Sequence, residues 1–304
     1  MNKLSIKIGN LTFNSPVIAA SGTFGFGLEY KEILNINDFG AIVTKGITIE
    51  RREGNPLPRI IETPCGLINS IGLANPGVKE FVKQYGDIYK NFPTNIIVNV
   101  AGGNISDFIN IIKKIEHLNV IGYELNLSCP NVSDGGMILS EDPNDIYILI
   151  KTIRNITNKL IISKLTPNLC NTIELARASE EAGCDAISLV NTYLGMSIDI
   201  ETCYSRIGKD YGGYSGPAIK PMALKLVYDI SNAVDIPIIG IGGISSGSDA
   251  IEFLIAGASL IQVGSIIFRN PQIAFEINTF IENYMDRKSI NDLNEIIGTF
   301  KGSI

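Results

Sequence analysis

The chain has 304 residues, of which 45% are hydrophobic and 18% are charged, and its formal net charge is −6. This composition describes a globular protein with a substantial core, and no stretch reaches the roughly 18 uninterrupted apolar residues of a membrane span. The acidic balance gives no electrostatic footprint for nucleic acid. The first eleven residues show neither a secretory signal nor an amphipathic anchor. We therefore expect a soluble, cytoplasmic protein that binds neither nucleic acid nor membranes.

Eight apolar runs suited to buried parallel strands alternate with segments of helical period, which is the pattern of repeated βα units. The predicted strands are residues 17–21, 41–47, 95–101, 122–128, 160–165, 186–191, 236–241 and 260–263. Before them, residues 4–8 and 11–13 flank Gly9-Asn10 and predict a β-hairpin. Eight parallel strands with right-handed crossovers close into a barrel, so residues 1–304 are predicted to form one α/β domain, a (β/α)8 TIM barrel.

Helices are predicted between these strands, with clear examples at residues 76–92, 105–118, 142–156, 171–182 and 217–234. Three connections exceed the roughly 2 to 6 residues of an ordinary βα loop, namely 48–75, 130–141 and 192–216. All three follow strands, so we expect long insertions on the face where barrel enzymes keep their active sites. The sole histidine, His117, falls near the end of a predicted helix, where it is more simply a helix-terminal charge than a catalytic group.

Glycine-rich turns follow the last two predicted strands. Gly242 and Gly243 end the seventh strand directly before a helix, and Gly264-Ser265 follows the eighth. Bare backbone amides near a helix N-terminus bind phosphate, and barrels commonly assemble a phosphate site from these two loops. One such loop is explained equally well by a tight turn, but the two together favour a phosphate-bearing ligand.

Two lysines, Lys45 and Lys164, end otherwise apolar strands. An ammonium there is costly unless it meets an anion, so we expect both to face a ligand, for example a reduced, anionic cofactor ring. Carboxamides recur at the same level of the barrel: Asn69, Asn99, Asn126, Asn131 and Asn191, the last followed by Thr192. Each alone could cap a strand or a turn, but their convergence predicts a pocket for a flat ligand rich in amide edges, such as a pyrimidine.

A thiol ends the fourth predicted strand, in the segment Asn126-Leu127-Ser128-Cys129-Pro130-Asn131. Pro130 cannot donate to a sheet ladder and favours extended backbone at Cys129, so the strand should end here. A thiol in this place can act as a base or a nucleophile. The alternative is a structural cysteine that is buried and unreactive. The five cysteines are scattered without any CxxC pair, which predicts no disulfide framework, metal site or iron–sulfur cluster in this chain.

These segments resemble the dihydroorotate dehydrogenases of the cytosolic class, and within it the NAD-linked (class 1B) catalytic subunits. The most specific motifs are the thiol segment above, Arg52-Glu53-Gly54-Asn55-Pro56-Leu57-Pro58-Arg59 and Asn69-Ser70-Ile71-Gly72-Leu73. Residues 20–27 and 44–48 are similar to the NAD-linked subgroup more than to the fumarate-using one. The resemblance covers the whole chain and implies oxidation of (S)-dihydroorotate to orotate in pyrimidine (UMP) biosynthesis.

The resemblance also implies the cofactor FMN and a set of binding residues. The implied FMN contacts are Ser21, Lys45, Gly46, Asn99, Asn126, Lys164, Val190, Gly216, Gly242, Gly243, Gly264 and Ser265. The implied orotate contacts are Lys45, Asn69, Ser70, Ile71, Gly72, Leu73, Asn126, Asn131, Asn191 and Thr192. Cys129 occupies the family's base position, where the membrane-bound class has serine. Position 265, often threonine in such sequences, is serine here and keeps its amide and hydroxyl.

Dihydroorotate oxidation removes a proton from C5 and a hydride from C6, which the resemblance assigns to the Cys129 thiolate and to FMN. Residues 130–141, with Gly135-Gly136, are predicted to be either a lid over the substrate or a plain surface loop. The chain has no dinucleotide fingerprint in a suitable strand context, so we do not expect it to reduce NAD readily on its own. The subgroup implies a partner subunit that carries FAD and a [2Fe-2S] cluster, on a homodimer of this chain, to form a heterotetramer.

Three other functions stay open at this point. The first is a fumarate-linked dihydroorotate dehydrogenase. The second is another FMN-dependent dihydropyrimidine oxidoreductase, such as a reductase of uracil-like rings; the acidic balance argues against a tRNA substrate, and the two lysines favour a carboxylated one. The third is a noncatalytic barrel that only binds a phosphate ligand as a sensor or scaffold, and such a protein would be colourless when purified.

Overall fold

Eight parallel strands close into a barrel in the computed structural model, which describes residues 2–127 and 141–303. In chain order the strands are β1 (Ile6–Ile8), β2 (Leu11–Phe13), β3 (Val17–Ala19), β4 (Ala41–Val43), β5 (Ile60–Thr63), β6 (Gly66–Asn69), β7 (Asn95–Val100), β8 (Gly122–Asn126), β9 (Leu160–Lys164), β10 (Ala186–Leu189), β11 (Tyr193–Gly195), β12 (Gly212–Ser215), β13 (Ile238–Ile241) and β14 (Ala258–Val263). The barrel order is β3-β4-β7-β8-β9-β10-β13-β14, and β14 pairs with β3 to close it. The predicted TIM barrel is confirmed, and each of its strands overlaps the predicted range.

Seven α-helices in the described part of the chain surround the barrel: α1 (Val78–Tyr85), α2 (Ile105–Ile115), α3 (Pro143–Arg154), α4 (Thr172–Glu181), α5 (Lys220–Ser231), α6 (Gly247–Ile255) and α7 (Ile273–Lys288). Local sequence explains several of their ends. Asn104 caps α2 by accepting from Asp107 N at 3.0 Å, and Asp142 caps α3 by accepting from Asn144 N at 2.8 Å. Gly183 follows α4 with a left-handed φ of +93°, the usual glycine role after a helix.

The first crossover departs from the regular pattern. Between β3 and β4 the described residues form turns and one 3-10 helix, Ile36–Asp38, instead of an α-helix. Gly22, Gly25 and Gly27 all have positive φ in this segment, which an α-helix does not accommodate. The C-terminal helix α7 packs against β3 and the 3-10 helix instead, so the barrel wall is still covered.

The N-terminal hairpin is confirmed. Ile6 pairs with Phe13 across β1 and β2, and Gly9 in the turn has a positive φ of +55°. Phe13 is 0% exposed, and a Cβ added at Gly40, directly before β4, would lie 3.3 Å from Phe13 Cβ. The hairpin therefore lies against the amino end of β4, away from the ends of the barrel strands that carry the predicted site.

A second sheet forms within two of the three long connections. The connection after β4 contains β5 and β6, the connection after β10 contains β11 and β12, and the four strands pair antiparallel in the order β11-β12-β6-β5. Both segments were predicted to be long loops, and that prediction is wrong for these four strands. Their pairing joins Asn69 to Gly213, far apart in the chain, and such short strands become stable only once the barrel has brought the two segments together.

No helix within residues 2–127 and 141–303 has the length and apolar character to cross a membrane. The apolar residues are instead gathered in one core, formed by the barrel strands and the inner faces of the helices. Strand β10 is typical, because all four of its residues are buried.

We expect Ile187→Ala to lower the free energy of unfolding by about 2–5 kcal/mol, because Ile187 is 0% exposed in β10 and truncation leaves a cavity. Ile200→Ala is the matched control, since Ile200 is 85% exposed and should change stability by no more than about 0.5 kcal/mol. Urea unfolding followed by circular dichroism measures both variants. Equal losses would contradict the assignment of β10 to the barrel core.

Candidate active site

The predicted binding residues within the described ranges lie at or just beyond the carboxyl ends of strands. Their positions are Ser21 after β3; Lys45 and Gly46 after β4; Asn69 to Leu73 at the end of β6; Asn99 in β7; Asn126 ending β8; Lys164 ending β9; Val190 to Thr192 after β10; Gly216 after β12; Gly242 and Gly243 after β13; Gly264 and Ser265 after β14. Because the barrel strands are parallel, their carboxyl ends share one mouth.

Glu124 lies at the centre of a polar cluster inside the barrel and is 0% exposed. Its Oε1 accepts hydrogen bonds from Asn99 Nδ2 at 2.8 Å and from Lys164 Nζ at 3.2 Å. Its Oε2 accepts from Gln262 Nε2 at 2.8 Å and from Ser188 Oγ at 3.0 Å. The four donors come from β7, β9, β14 and β10, on different sides of the barrel, so the carboxylate points into the barrel interior.

Lys164 carries the positive charge of this cluster, and its side chain is 5% exposed. Its Nζ also donates to Ser21 Oγ at 3.0 Å. Burial by itself raises the pKa of Glu124, but the charge of Lys164 and the hydrogen bonds to the carboxylate outweigh burial, so the pKa lies below its ordinary value. Glu124 is therefore ionised at neutral pH, and it balances the charge of Lys164.

Two carboxamide oxygens of the cluster, Asn99 Oδ1 and Gln262 Oε1, are buried without a hydrogen-bond partner among the described residues. Both side chains donate N–H to Glu124, and because an ionised carboxylate only accepts, their oxygens must be turned away from it. A buried acceptor left without a donor costs about 1–3 kcal/mol. The two oxygens are thus suited to a ligand that presents N–H groups.

Sequence reasoning finds Asn99 and Lys164 but misses Glu124, Ser188 and Gln262. The available signal was the one used for the lysines, a polar or charged side chain within an apolar strand. Glu124 stands between the buried Tyr123 and Leu125. In β14, Gln262 stands in a strand whose other residues are small or apolar. The same rule, applied to carboxylates and amides, would have identified both positions.

Lys45 and Gly46 lie beside this cluster. Burial lowers the pKa of the Lys45 ammonium and repulsion by Arg59 adds to this, while Glu29 opposes it. A Cβ added at Gly46 would lie 2.9 Å from Asn99 Oδ1. The unpartnered oxygen of Asn99 is therefore adjacent to the residue that follows Lys45, so one region of the mouth offers both a cation and an acceptor.

The glycine-rich turns leave backbone accessible where a phosphate is predicted. Gly242 and Gly243 have φ values of +124° and +74°, which side chains rarely adopt. A Cβ on Gly243 would lie 2.7 Å from Lys220 N, so this turn has room only for glycine. At Gly264 nothing but Ala20 Cβ, at 3.7 Å, would meet an added Cβ. Both turns leave backbone amides without a side chain beside them, and the phosphate site stays a prediction.

Asp249, in the first turn of α6, fixes the shape of the turn that follows β13. Its Oδ1 accepts from Lys220 Nζ at 2.6 Å, and its Oδ2 accepts from Ser245 N at 3.0 Å and Ser245 Oγ at 2.9 Å. Burial raises the pKa of Asp249, but these hydrogen bonds outweigh burial and lower it. One carboxylate thus joins α5, α6 and the glycine-rich turn.

The predicted substrate segment, residues 69–73, is clamped by the other motif of the same long connection. Asn55 N donates to Ile71 O at 3.1 Å, Asn55 Nδ2 donates to Ser70 Oγ at 2.8 Å, and Ser70 N donates to Arg59 O at 2.8 Å. Arg59 Nε in turn donates to Asn55 O at 2.6 Å. The two most specific sequence motifs of the first connection therefore form one rigid unit.

The second sheet brings the remaining predicted residues to this unit. Asn69 Nδ2 donates to Gly213 O at 3.1 Å, so its amide nitrogen is used within the sheet. Thr192 N donates to Asn191 Oδ1 at 2.8 Å. A Cβ on Gly213 would collide with Thr192 Oγ1 at 2.1 Å, which places Thr192 directly against β12. Residues from the connections after β4 and β10 thus meet at the mouth.

Cys129 and Asn131 lie outside the described residues, as do residues 130–140 of the predicted lid. The base assignment and the choice between lid and surface loop therefore stay predictions. Strand β8 ends at Asn126, which is opposite Lys164 in the register of β8 and β9. The chain thus leaves the barrel wall beside the buried cation.

A TIM barrel with a buried ion pair, unpartnered amide oxygens and two glycine turns has the features of a barrel enzyme. The profile of the dihydroorotate dehydrogenase family matches residues 3–285. The chain belongs to this family.

Relatives align along nearly the full length of both chains. A protein of Thermoanaerobacter pseudethanolicus is 46% identical over 98% of this chain and 99% of its own length. One of Caldicellulosiruptor saccharolyticus is 48% identical over 97% and 98%, and one of Thermodesulfovibrio yellowstonii is 47% identical over 99% and 100%. Each of the three is named dihydroorotate dehydrogenase B (NAD(+)), catalytic subunit.

We expect Asp249→Asn to lower the free energy of unfolding by about 1.5–3 kcal/mol at pH 7, because it weakens a largely buried charged contact. The folded pKa of Asp249 is lowered, so its stabilisation is present above the unfolded value of about 3.9 and is lost as the pH falls through the folded pKa. The stability difference between wild type and variant should therefore narrow as the pH falls below about 4.

Urea unfolding at several pH values measures this difference. Asp229→Asn is the control, since Asp229 pairs with the 70% exposed side chain of Lys225 and should contribute less than about 1 kcal/mol. A stability gap for Asp249→Asn that does not narrow below the unfolded pKa of about 3.9 would contradict the ionic role of Asp249.

Proposed function

We propose that this chain oxidises (S)-dihydroorotate to orotate, the redox step of pyrimidine (UMP) biosynthesis, as the catalytic subunit of an NAD-linked enzyme. The main support is the barrel mouth, where Lys45 offers a cation and the carboxamides Asn69, Asn126 and Asn191 lie at or just beyond strand ends. A planar pyrimidine carboxylate has N–H, C=O and carboxylate groups that match a cation and amide edges. The names of the relatives add the substrate and the acceptor.

The cofactor of this proposal is FMN, which supplies a hydride acceptor when it is bound. The residues fit such a group, because bare amides follow β13 and β14, and because two buried acceptors require N–H donors. The proposed FMN set is Ser21, Lys45, Gly46, Asn99, Asn126, Lys164, Val190, Gly216, Gly242, Gly243, Gly264 and Ser265. Within it, the glycine turns hold the phosphate, and the lysines and carboxamides face the ring.

The proposed substrate set comprises Lys45, Asn69, Ser70, Ile71, Gly72, Leu73, Asn126, Asn131, Asn191 and Thr192. Its support is the clamp that Asn55 and Arg59 form on residues 69–73, since a preorganised segment orients a ligand at little entropic cost. Lys45 is the cation proposed to receive the substrate carboxylate. Burial lowers the pKa of this ammonium, so an anionic ligand would stabilise its charged form.

Cys129 is the proposed base. Its thiolate takes the proton from C5 of dihydroorotate as the hydride leaves C6, so one C–H bond breaks at each carbon and the ring gains a double bond. A free thiol has a pKa of about 8.5, so only a fraction is thiolate at neutral pH without help from nearby donors or cations. Asn126, which precedes Cys129 by three residues in the sequence, ends β8 opposite Lys164.

We expect anaerobic dihydroorotate to bleach the yellow colour of the FMN-loaded protein, and the bleaching rate to rise with pH as more thiolate forms. Dihydrouracil, which lacks the carboxylate, should bleach it far more slowly. In Cys129→Ala the rate should fall by about 10²–10⁴-fold, the usual contribution of a general base. Stopped-flow absorbance measures all three.

Cys170→Ala serves as the control for this experiment, because Cys170 is a free, exposed cysteine and should leave the rate unchanged. Near-normal bleaching of Cys129→Ala would show that the base is another group. Faster bleaching by dihydrouracil would favour a reductase of uracil-like rings, and a colourless protein that takes up no FMN would favour a noncatalytic barrel.

The electrons are proposed to reach NAD through a partner subunit that carries FAD and a [2Fe-2S] cluster, on a homodimer of this chain. The support is the word "subunit" in the names of the relatives. The four cysteines of the described ranges are all free, which suits a reducing cytoplasm.

We expect the isolated chain to be reduced by dihydroorotate yet to transfer electrons to NAD slowly, and the complex with its partner to reduce NAD rapidly. NADH formation at 340 nm measures both preparations. Rapid NAD reduction by the isolated chain would remove the need for a second subunit, and rapid turnover with fumarate would assign the chain to the fumarate-linked group.

A further inference from the structure

We propose that Glu124 is a positioning residue that keeps the reduction potential of the bound cofactor low, by holding a negative charge against Lys164. The inference rests on the proposed FMN site, but Glu124 belongs to neither proposed binding set. It is 0% exposed, so it acts on the site only through the side chains that contact it.

The hydrogen bonds of Glu124 use all of its acceptor sites. A carboxylate offers about four lone-pair sites, and Glu124 accepts from four protein donors, two at each oxygen. It therefore has no position for a substrate or a proton in transit. Its influence must pass through the side chains that it holds, which are those of Lys164, Asn99, Gln262 and Ser188.

The charge that Glu124 contributes is the main part of this influence. With Glu124 the buried pair is neutral overall, whereas Lys164 alone would place an unbalanced cation at the mouth. A cofactor gains negative charge when it is reduced, and a nearby cation stabilises that charge strongly in a poorly solvated site. An unbalanced Lys164 would therefore raise the potential and retain electrons that the enzyme must pass on.

The orientation of two carboxamides is the second part. Glu124 accepts from the nitrogens of Asn99 and Gln262, so both amide oxygens face away from it and stay available. With glutamine at position 124, one end of the new amide is a donor. That end would oppose Ser188 and Gln262, whose present roles are both to donate, so at least one of them must reorient.

We expect Glu124→Gln to make reduced FMN bind at least tenfold more tightly relative to oxidised FMN. For a two-electron couple this corresponds to a midpoint potential about 30 mV more positive. Anaerobic redox titration of the FMN-loaded protein against a reference dye measures the shift. A merely structural role would lower melting temperature and FMN affinity without moving the potential in this direction.

Two further variants keep the test decisive. The first is a double variant, Glu124→Gln with Gln262→Glu. It moves the carboxylate one side chain further from Lys164 and preserves a single buried negative charge. The reduction potential of its FMN should lie between those of wild type and Glu124→Gln. It can be compared with wild type even where the single variant fails to fold. Ser188→Ala removes one hydrogen bond to Glu124 without a change of charge, so its potential should shift least.

Potentials within error of wild type in both carboxylate variants would overturn the role of Glu124, and so would a negative shift. These outcomes differ from failure of the proposed function. A wild-type chain that binds no FMN, or that holds FMN which dihydroorotate does not bleach, would contradict the function itself and the inference that rests on it. Wild-type bleaching together with unchanged variant potentials would overturn the inference alone.

Discussion

The ion pair between Glu124 and Lys164 is the interaction on which the rest of the site depends. Two charges removed from water carry a desolvation penalty of several kcal/mol each, and their attraction offsets it only when further hydrogen bonds satisfy both groups. Here Asn99, Ser188 and Gln262 donate hydrogen bonds to the carboxylate, and the ammonium donates to Ser21 Oγ. Glu124 and Lys164 lie on the adjacent strands β8 and β9, but Gln262 lies on β14 and Ser21 follows β3, so the full set of partners is assembled only in the closed barrel.

Closure of the barrel also determines what the mouth offers to a ligand. Glu124 accepts from the two amide nitrogens and from Lys164, while the two amide oxygens are left without a partner among the described residues and Lys45 stays half-buried. Around this centre, the clamped segment 69–73 and the second sheet form the rim. The interior is thus rigid and electrostatically balanced, and the variable elements are the long connections. This division is usual in barrel enzymes, where scaffold and loops have separate duties.

Much of the fold could be predicted from local pattern. All eight barrel strands and the hairpin follow from apolar runs and turn residues, because each signal lies within a few neighbouring residues. The first crossover was harder to predict, because it contains turns instead of an α-helix. Gly22, Gly25 and Gly27 have positive φ there. Strands β5, β6, β11 and β12 were not predicted; the pairing of β6 with β12 joins segments more than a hundred residues apart, although β5 and β6 form a local hairpin. For the site, Lys164 and Asn99 were predicted, whereas no prediction was made for Glu124.

The sequence by itself determined the barrel class, the lysines and carboxamides at strand ends, the glycine turns and, through the thiol and proline motifs, the family. These are local features, and parallel strands in a barrel must bring their ends to one mouth. Only the tertiary structure decided which side chains meet. The saturation of Glu124 by four strands, the two unpartnered oxygens and the clamp on residues 69–73 depend on register and closure, and these are set by packing across the whole barrel.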